Sequence, residues 1–329
     1  MAGVLDAFRV ENWRKPHVVM AMGKGGVGKT TVSLRLGLEA ARRGMRVLVA
    51  SLDPAGHLLE YLRLPAPLVE KEIHPGLRAV QFDVERVAKS VAEEYALLLR
   101  RLTPGLEALG GSDATRAIRD APGFEEEVFL RILEKLYQRR DVDLVVVDMP
   151  PTGIALRVVA LPRLHLFWAQ RLREIRERIV SIKYAIANAL GRREEISDPV
   201  LSKLRELEER NQALHREMTD PSRTSFMAVA TPEPLPVYEV KVIAEKLRDL
   251  GASLEAIIAN RVLGEKAAQL GLGGLEAESL RRLEVLRCSL RPPPGLVLIA
   301  HAPRPPSRIE DVEALDRYVL RVVVDGCGG

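Results

Sequence analysis

The feature that most constrains this chain is a glycine-rich loop, Gly23–Thr30, whose spacing is Gly-x-x-x-x-Gly-Lys-Thr. The loop directly follows the apolar run 17–22 and directly precedes a helical pattern over 31–43. Glycines allow backbone N–H groups to approach phosphate oxygens, and the N-terminus of the following helix carries partial positive charge. A strand, this loop and a helix in that order therefore predict a nucleotide-binding P-loop.

The loop also carries side chains suited to phosphate chemistry. Lys29 is predicted to reach the β- and γ-phosphates, the Thr30 hydroxyl to ligate Mg²⁺, and Thr31 to bond the α-phosphate. Lys24 is a second lysine, which an ordinary phosphate loop does not require. It is either a solvated surface lysine or a cation that stabilises the transition state as an arginine finger does. The predicted nucleotide-binding residues of the loop are Gly23, Lys24, Gly25, Gly26, Val27, Gly28, Lys29, Thr30 and Thr31.

Two other apolar runs end in an aspartate. Asp148 ends the almost wholly apolar run 143–148, which is the position of a residue that holds Mg²⁺ through a water. Gly153, shortly after it, would let the chain bend close to a γ-phosphate. Asp53 follows the run 46–52 and is predicted to orient or activate the attacking water. Taken alone, Asp53 before a proline would indicate only a turn.

The remaining pattern predicts the fold class. Continuous apolar runs indicate strands buried on both faces, and helical stretches between them indicate a mostly parallel sheet. The predicted strands are 17–22, 46–52, 77–82, 143–148, 225–230, 256–260 and 295–300. We therefore expect an α/β P-loop NTPase with a mostly parallel sheet flanked by helices, plus an inserted α-helical subdomain.

Two intervals, 83–140 and 161–224, are too long for a single crossover helix. The pattern of each predicts helices. We expect a nucleotide-binding core of residues 1–82, 141–163 and 225–329, with 83–140 and 164–224 as the helical subdomain. One helical stripe in the second interval consists of Leu164, Trp168, Leu172, Ile175, Ile179, Ile182, Ile186 and Leu190. Its spacing fits either packing inside the subdomain or contact with an apolar partner.

Composition excludes several function classes. Hydrophobic residues make up 47% and charged residues 29%, as in folded soluble proteins. The net charge of +4 comes without a basic tail and the aromatic content is 4%, so no nucleic-acid partner is expected. The first residues lack the apolar core of a signal peptide and no run reaches the ~20 apolar residues of a membrane span, so a cytoplasmic protein is expected.

The chain has only two cysteines, Cys288 and Cys327. That number excludes a disulfide scaffold, a zinc ribbon and an iron–sulfur ferredoxin pattern. Cys327 lies in a glycine-rich tail, which predicts flexibility there. A metal shared by these cysteines across a dimer stays open.

Several segments resemble one family. Lys24 within this loop resembles the deviant Walker A NTPases. Asp53–Ala55 resembles switch I, and Asp148–Arg157 resembles switch II, of the arsenical-pump and tail-anchored-protein-targeting ATPases. Ile258–Asn260 resembles the family's adenine-contacting segment. Further similar segments are Ala121–Glu127, Leu161–Pro162, Thr219–Pro221, Phe226–Glu233 and Tyr238–Glu239.

The resemblance implies an ATPase with ATP and Mg²⁺ as cofactors, Asp53 and Lys24 as catalytic residues, and Asn260 at the adenine. It implies a homodimer in which each Lys24 reaches the nucleotide of the opposite subunit. The helical subdomains would then form a groove for the transmembrane helix of a tail-anchored client. Delivery would end at a membrane, where a receptor is an expected partner.

The chain departs from the family pattern at three places. Gly56 stands before His57, where the family has the histidine directly after Asp-Pro-Ala, so the role of His57 stays open. A zinc-binding cysteine pair is absent after Asn260, and the arsenite-binding cysteine triad and a second nucleotide loop are absent as well. A targeting factor of the archaeal type is therefore favoured. The alternatives are a spatial-positioning ATPase of the septum-site or partitioning type, or an anion-pump ATPase subunit.

Overall fold

The computed structural model describes residues 3–53, 57–62, 66–102, 114–190, 198–302, 308–324 and 326–327. The strands are β1 His17–Met22, β2 Val47–Ser51, β3 Lys71–His74, β4 Leu77–Gln81, β5 Leu144–Asp148, β6 Thr224–Ala230, β7 Leu254–Val262, β8 Gly295–Ala300 and β9 Val319–Val323. The α-helices are α1 Lys29–Arg42, α2 His57–Leu62, α3 Val84–Leu102, α4 Ala114–Arg119, α5 Phe124–Tyr137, α6 Thr152–Ala189, α7 Pro199–Thr219, α8 Pro234–Asp249, α9 Glu265–Gln269, α10 Gly273–Ser289 and α11 Ile309–Glu313. The predictions for Pro54, Ala55, Gly56 and the His57 side chain lie outside the described residues.

The described strands form one sheet in the order β3-β4-β2-β5-β1-β6-β7-β8-β9. The seven inner strands run parallel, with β1 between β5 and β6. This arrangement confirms the expected α/β fold with a mostly parallel sheet. The sequence did not indicate β3 and β9, which pair antiparallel at the two edges. Both are partly exposed, so neither shows the continuous apolar run of a strand covered on both faces.

Helices cover both faces of the sheet. In β1, Val18 and Met20 belong to a core shared with α5, α6 and α8, whereas Val19 and Ala21 belong to a second core shared with α1. Successive residues of a strand point to opposite faces, so a strand covered on both sides is apolar at every position. The predicted helices of the inserted region, α3 to α7, lie on the first of these faces.

The longest described element is α6, with 38 residues. It begins four residues after Asp148 and contains Pro162. Ion pairs join it to the start and middle of α7: Arg173 Nε lies 2.6 Å from Glu208, and Arg176 Nη2 lies 2.8 Å from Asp198. The predicted domain boundary between 163 and 164 falls inside this continuous helix, and the division into domains remains a prediction.

The end of the chain contradicts one expectation. Cys288, at the end of α10, forms a disulfide with Cys327, and their Cα atoms are 5.3 Å apart. The prediction of a flexible Cys327 was therefore wrong. The reason is tertiary: β9 pairs with β8 and returns the tail to α10, where the buried Arg287 guanidinium donates to the Gly326 carbonyl. None of the described helices has the length and apolar character needed to cross a membrane.

Candidate functional site

The loop after β1 requires glycine for two separate reasons. At Gly23 an added Cβ would lie 2.2 Å from the Val229 carbonyl oxygen, and at Gly28 it would lie 2.4 Å from the Asn260 amide nitrogen. Both residues also have positive φ angles, of 150° and 97°. A backbone carbonyl of β6 and a side chain of β7 therefore lie in close contact with the loop. A residue larger than glycine at either position would displace the loop.

The two lysines of the loop differ in burial. Lys29 begins α1, is only 5% exposed, and its ammonium donates to the Lys24 carbonyl oxygen at 3.4 Å. It thus folds back over the loop. Lys24 is exposed. The structure therefore places one cation inside the loop and one on its outer surface. Thr31 lies half-buried on the first turn of α1, next to Thr30.

Asp148 is the most buried carboxylate at this end of the sheet. One oxygen, Oδ2, accepts hydrogen bonds from the Thr30 hydroxyl at 2.7 Å and the Ser51 hydroxyl at 3.2 Å. The other oxygen, Oδ1, is buried and has no hydrogen-bond partner among the described residues. Burial raises the pKa of Asp148 to about 6; Asp53 also raises it, while Thr30, Lys29 and Ser51 lower it. This oxygen lies beside the phosphate loop, so it is available to accept a hydrogen bond from a metal-bound water.

Asp148 is one member of a row of polar residues across three neighbouring strands. Ser51 on β2 is in register with Asp148 on β5 and with Gln81 on β4. Asp53 lies two residues beyond the end of β2, and its backbone N–H donates to the Ser51 hydroxyl at 3.3 Å. The Gln81 amide donates to the Asp53 carbonyl at 2.9 Å. The structure therefore brings the predicted residues Asp53 and Asp148 together through Ser51.

Sequence reasoning did not single out Ser51 or Gln81. The available signal was a polar residue near the end of each of three apolar runs. That signal gains meaning only from the strand order β4-β2-β5, because parallel strands place their carboxyl ends at one edge of the sheet.

Asn260 lies near the end of β7 and is buried. Its amide donates to the Val27 carbonyl oxygen at 2.9 Å, and this hydrogen bond stabilises the position of the loop. The structure thus places this residue, predicted at the adenine, against the phosphate loop. Its contact with adenine stays a prediction.

Three of the segments that resemble the family meet at the start of α6. The Thr152 hydroxyl donates to Glu239 on α8 at 3.3 Å. The Arg157 guanidinium donates to Glu126 on α5 at 2.5 Å, and Glu126 is buried. The first turns of α6 are therefore held on two sides by carboxylates, directly after the strand that ends in Asp148.

The predicted stripe on α6 is exposed. Its eight residues, Leu164, Trp168, Leu172, Ile175, Ile179, Ile182, Ile186 and Leu190, are between 40% and 66% exposed. The buried residues of this part of the helix, Ala169 and Val180, lie on another side. Among the described residues the stripe therefore lacks the burial that packing inside the subdomain would give it. Phe167 is exposed beside the stripe.

Comparison with known proteins identifies the family. A family model described as anion-transporting ATPase matches residues 16–280, which is most of the chain. The chain belongs to the anion-transporting ATPase family. This confirms the resemblance seen in the sequence, and the chain is accordingly an ATPase.

Some of the similar proteins are named arsenical pump-driving ATPases, and others are named GET3 or ASNA1 ATPases. A putative arsenical pump-driving ATPase 1 of Aquifex aeolicus is 27% identical over 264 residues, which cover 77% of this chain and 65% of the relative. A second Aquifex aeolicus protein, putative arsenical pump-driving ATPase 2, is 29% identical over 249 residues, covering 74% of this chain and 79% of the relative. The ATPase GET3A of Arabidopsis thaliana is 29% identical over 249 residues, covering 74% and 67%.

Proposed function

We propose that this ATPase binds the transmembrane helix of tail-anchored membrane proteins and delivers them to a membrane. The observation that carries the proposal is the exposed apolar stripe on α6. From Leu164 to Leu190 the helix rises roughly 39 Å at ~1.5 Å per residue, and a transmembrane helix needs ~30 Å. The stripe is therefore long enough to cover such a helix along one side.

A cavity of about 540 Å³ lies between the stripe and the neighbouring helices. Trp168 and Leu172 of the stripe and Leu204 of α7 form apolar parts of its lining, and charged residues such as Arg131 and Glu134 surround them. Surfaces of this kind mark sites of interaction with apolar partners. The client helix would occupy the stripe, and its larger side chains would enter the cavity.

In the proposed reaction, backbone N–H groups of the loop and the Lys29 ammonium hold the phosphates of ATP. Thr30, and Asp148 through a water, would hold Mg²⁺. They fit this hard cation because Asp148 Oδ1 is a buried carboxylate oxygen that has no partner among the described residues, and the Thr30 hydroxyl lies beside the same carboxylate. When bound, the ion neutralises charge on the phosphate oxygens. Asp53 orients the attacking water by accepting a hydrogen bond from it.

Lys24 acts across a homodimer in this proposal. Lys29 already serves the phosphates of its own subunit, and Lys24 is exposed. At a two-fold interface each Lys24 would neutralise charge on the nucleotide of the opposite subunit, where water is excluded. ATP would close the dimer and hydrolysis would open it. The cycle would take place in the cytoplasm, with a membrane receptor accepting the client.

The names of the Aquifex relatives support a second candidate, an ATPase subunit of an anion pump. This chain, however, has only two cysteines, Cys288 and Cys327, one fewer than the arsenite-binding triad of the pump ATPases needs. The targeting function is therefore the better supported of the two.

Co-expression with a tail-anchored substrate tests the proposal. A soluble complex is expected, and it should be lost when the transmembrane segment of the client is deleted. A double variant with Ile175→Asp and Ile182→Asp should lose the client and keep its basal ATPase rate. The matched control, Val285→Asp with Leu320→Asp, changes two equally exposed apolar residues elsewhere and should keep the client.

The proposal fails if the client stays bound to the stripe variant, or if capture does not depend on the client's transmembrane segment. An ATPase rate that responds to arsenite, with no client capture, would favour the pump subunit.

A further inference from the structure

Gln81 is a buried amide beside the proposed catalytic aspartate. It is the last residue of β4 and is 2% exposed. Its amide nitrogen donates to the Asp53 carbonyl at 2.9 Å, and lies 3.3 Å from the Ser51 carbonyl and 3.4 Å from that of Phe82. The shortest contact is to Asp53, so the Gln81 amide holds that backbone most closely.

The Gln81 amide forms its hydrogen bond just beyond the last backbone hydrogen bonds of β2. The last backbone bonds at this end of β2 run from Phe82 N–H to the Ser51 carbonyl at 3.0 Å and from Leu52 N–H to the Asp148 carbonyl at 2.9 Å. Asp53 is one residue further and outside the strand. The Gln81 side chain therefore extends the pairing to Asp53, the first residue beyond these backbone bonds.

Gln81 is itself held on a rigid element. It is in register with Ser51 in the parallel pair of β2 and β4. Three residues later α3 begins, and the Asp83 carboxylate accepts from Arg86 N–H at 2.9 Å in its first turn. A side chain fixed between a strand and a helix can define the position of a neighbouring backbone more accurately than a loop can.

We propose that Gln81 is a positioning residue for ATP hydrolysis, which fixes the Asp53 backbone so that its carboxylate faces the attacking water. The inference rests on the proposed role of Asp53. Gln81 acts through the bond from its amide nitrogen to the Asp53 backbone, while its oxygen Oε1 is buried without a hydrogen-bond partner among the described residues. A displacement of about 1 Å at a catalytic group can cost ~10²-fold in rate, so a single hydrogen bond to this backbone matters.

Gln81→Met tests the proposal because methionine has a similar length and shape but no donor. We expect kcat to fall by ~10- to 10²-fold while KM for ATP stays within about threefold. Affinity for ADP should be unchanged. Affinity for ADP with tetrafluoroaluminate, which imitates the transferring phosphoryl group, should fall with kcat. Gln212→Met, on the exposed side of α7, is the matched control and should change none of these values.

A double-mutant cycle separates positioning from a merely structural role. If Gln81 acts through Asp53, Gln81→Met should slow an Asp53→Asn variant by less than twofold further. Equal multiplicative losses in both backgrounds would overturn the inference, as would a Gln81→Met enzyme within twofold of the wild-type kcat. A loss of ADP affinity in step with kcat would show a distorted loop and overturn it too.

Two further measurements separate misfolding of the variant, failure of the role of Asp53 and failure of the role of Gln81. If Gln81→Met does not fold, Gln81→Asn keeps an amide that is one methylene too short to reach Asp53, and the same losses are expected. If Asp53→Asn itself hydrolyses ATP at a near wild-type rate, the proposed role of Asp53 fails and the inference with it. A slow Asp53→Asn variant beside a fast Gln81→Met variant overturns the role of Gln81 alone.

Discussion

The carboxyl end of the sheet and the exposed side of α6 differ in the kind of group that is unfavourably placed in the isolated chain. At the sheet, polar groups are buried, and Thr30, Ser51 and Gln81 supply hydrogen bonds from within the chain. On α6, large apolar side chains such as Ile182 stay exposed beside water. Burying a polar group costs free energy unless it is paired, and exposing apolar surface costs free energy unless something covers it.

The difference shows which groups in each region are available to a binding partner. At this edge of the sheet two buried oxygens, Asp148 Oδ1 and Gln81 Oε1, have no hydrogen-bond partner among the described residues, and a site of this size suits a small ligand. On α6 the available group is a face of eight residues, which suits a macromolecule. Only Met149, Pro150 and Pro151 separate Asp148 from the first residue of α6. The two regions are thus adjacent in the chain, and the comparison can be tested at each of them.

The largest effect is expected at Asp148. We expect Asp148→Asn to lower the ATPase rate by ~10³-fold, because several kcal/mol of charge stabilisation depend on a correctly held Mg²⁺. Nucleotide affinity measured in EDTA should be unchanged, since the loop stays intact. Asp120→Asn, in an exposed ion pair with Arg116, is the control and should behave like the wild type. A loss below tenfold at saturating Mg²⁺ would contradict the assignment.

Asp53 should show the next largest effect. Asp53→Asn is expected to bind ATP and Mg²⁺ normally, because the loop and Asp148 are unchanged. Hydrolysis should fall by ~10²-fold or more if the carboxylate positions the water. Equilibrium binding of a fluorescent ATP analogue, beside phosphate release, checks both parts. Near-normal turnover would show that the position of Asp53 beside Ser51 has no catalytic purpose.

Lys24 extends the comparison to the outer surface of the loop. Lys24→Ala should bind ATP and hydrolyse it slowly. An equal mixture with Asp53→Asn subunits should recover about a quarter of the wild-type rate, because half of the dimers are mixed and each has one complete site. Mixed dimers that form without recovering activity would exclude action across the interface. Light scattering that shows only monomers with ATP would exclude the dimer as well.

The smallest effect is expected on the stability of α6. Ile182→Asp places a charge on the exposed side and should change the free energy of unfolding by less than about 0.5 kcal/mol. Val180→Asp is the matched change on the packed side, where the valine is 9% exposed, and should cost ~3 kcal/mol or more. Urea unfolding of both variants checks the contrast. Equal losses would mean that the stripe is part of the core.

Much of the candidate site could be predicted from local sequence. The glycine spacing of the loop, Lys29 and Thr30, and the two strand-end aspartates are each readable within a few residues. The edge strands were missed for different reasons: β3 has one apolar residue, Ile73, whereas Arg321 interrupts the apolar residues of β9, so neither shows the continuous run on which the prediction depends. The pairing of Cys288 with Cys327 followed from β9 and was missed for the same reason.

The sequence by itself determined the phosphate loop, the parallel α/β class and the period of the α6 stripe, because each depends on neighbours within one or two turns or strands of the chain. Tertiary structure alone decided that Gln81, Ser51 and Asp148 form one row, since that requires the order of strands far apart in sequence. It also decided that Ile175 and Ile182 face outward. A helical period is the same whether its apolar side meets a core or a partner, so only the packing of the remaining helices distinguishes the two.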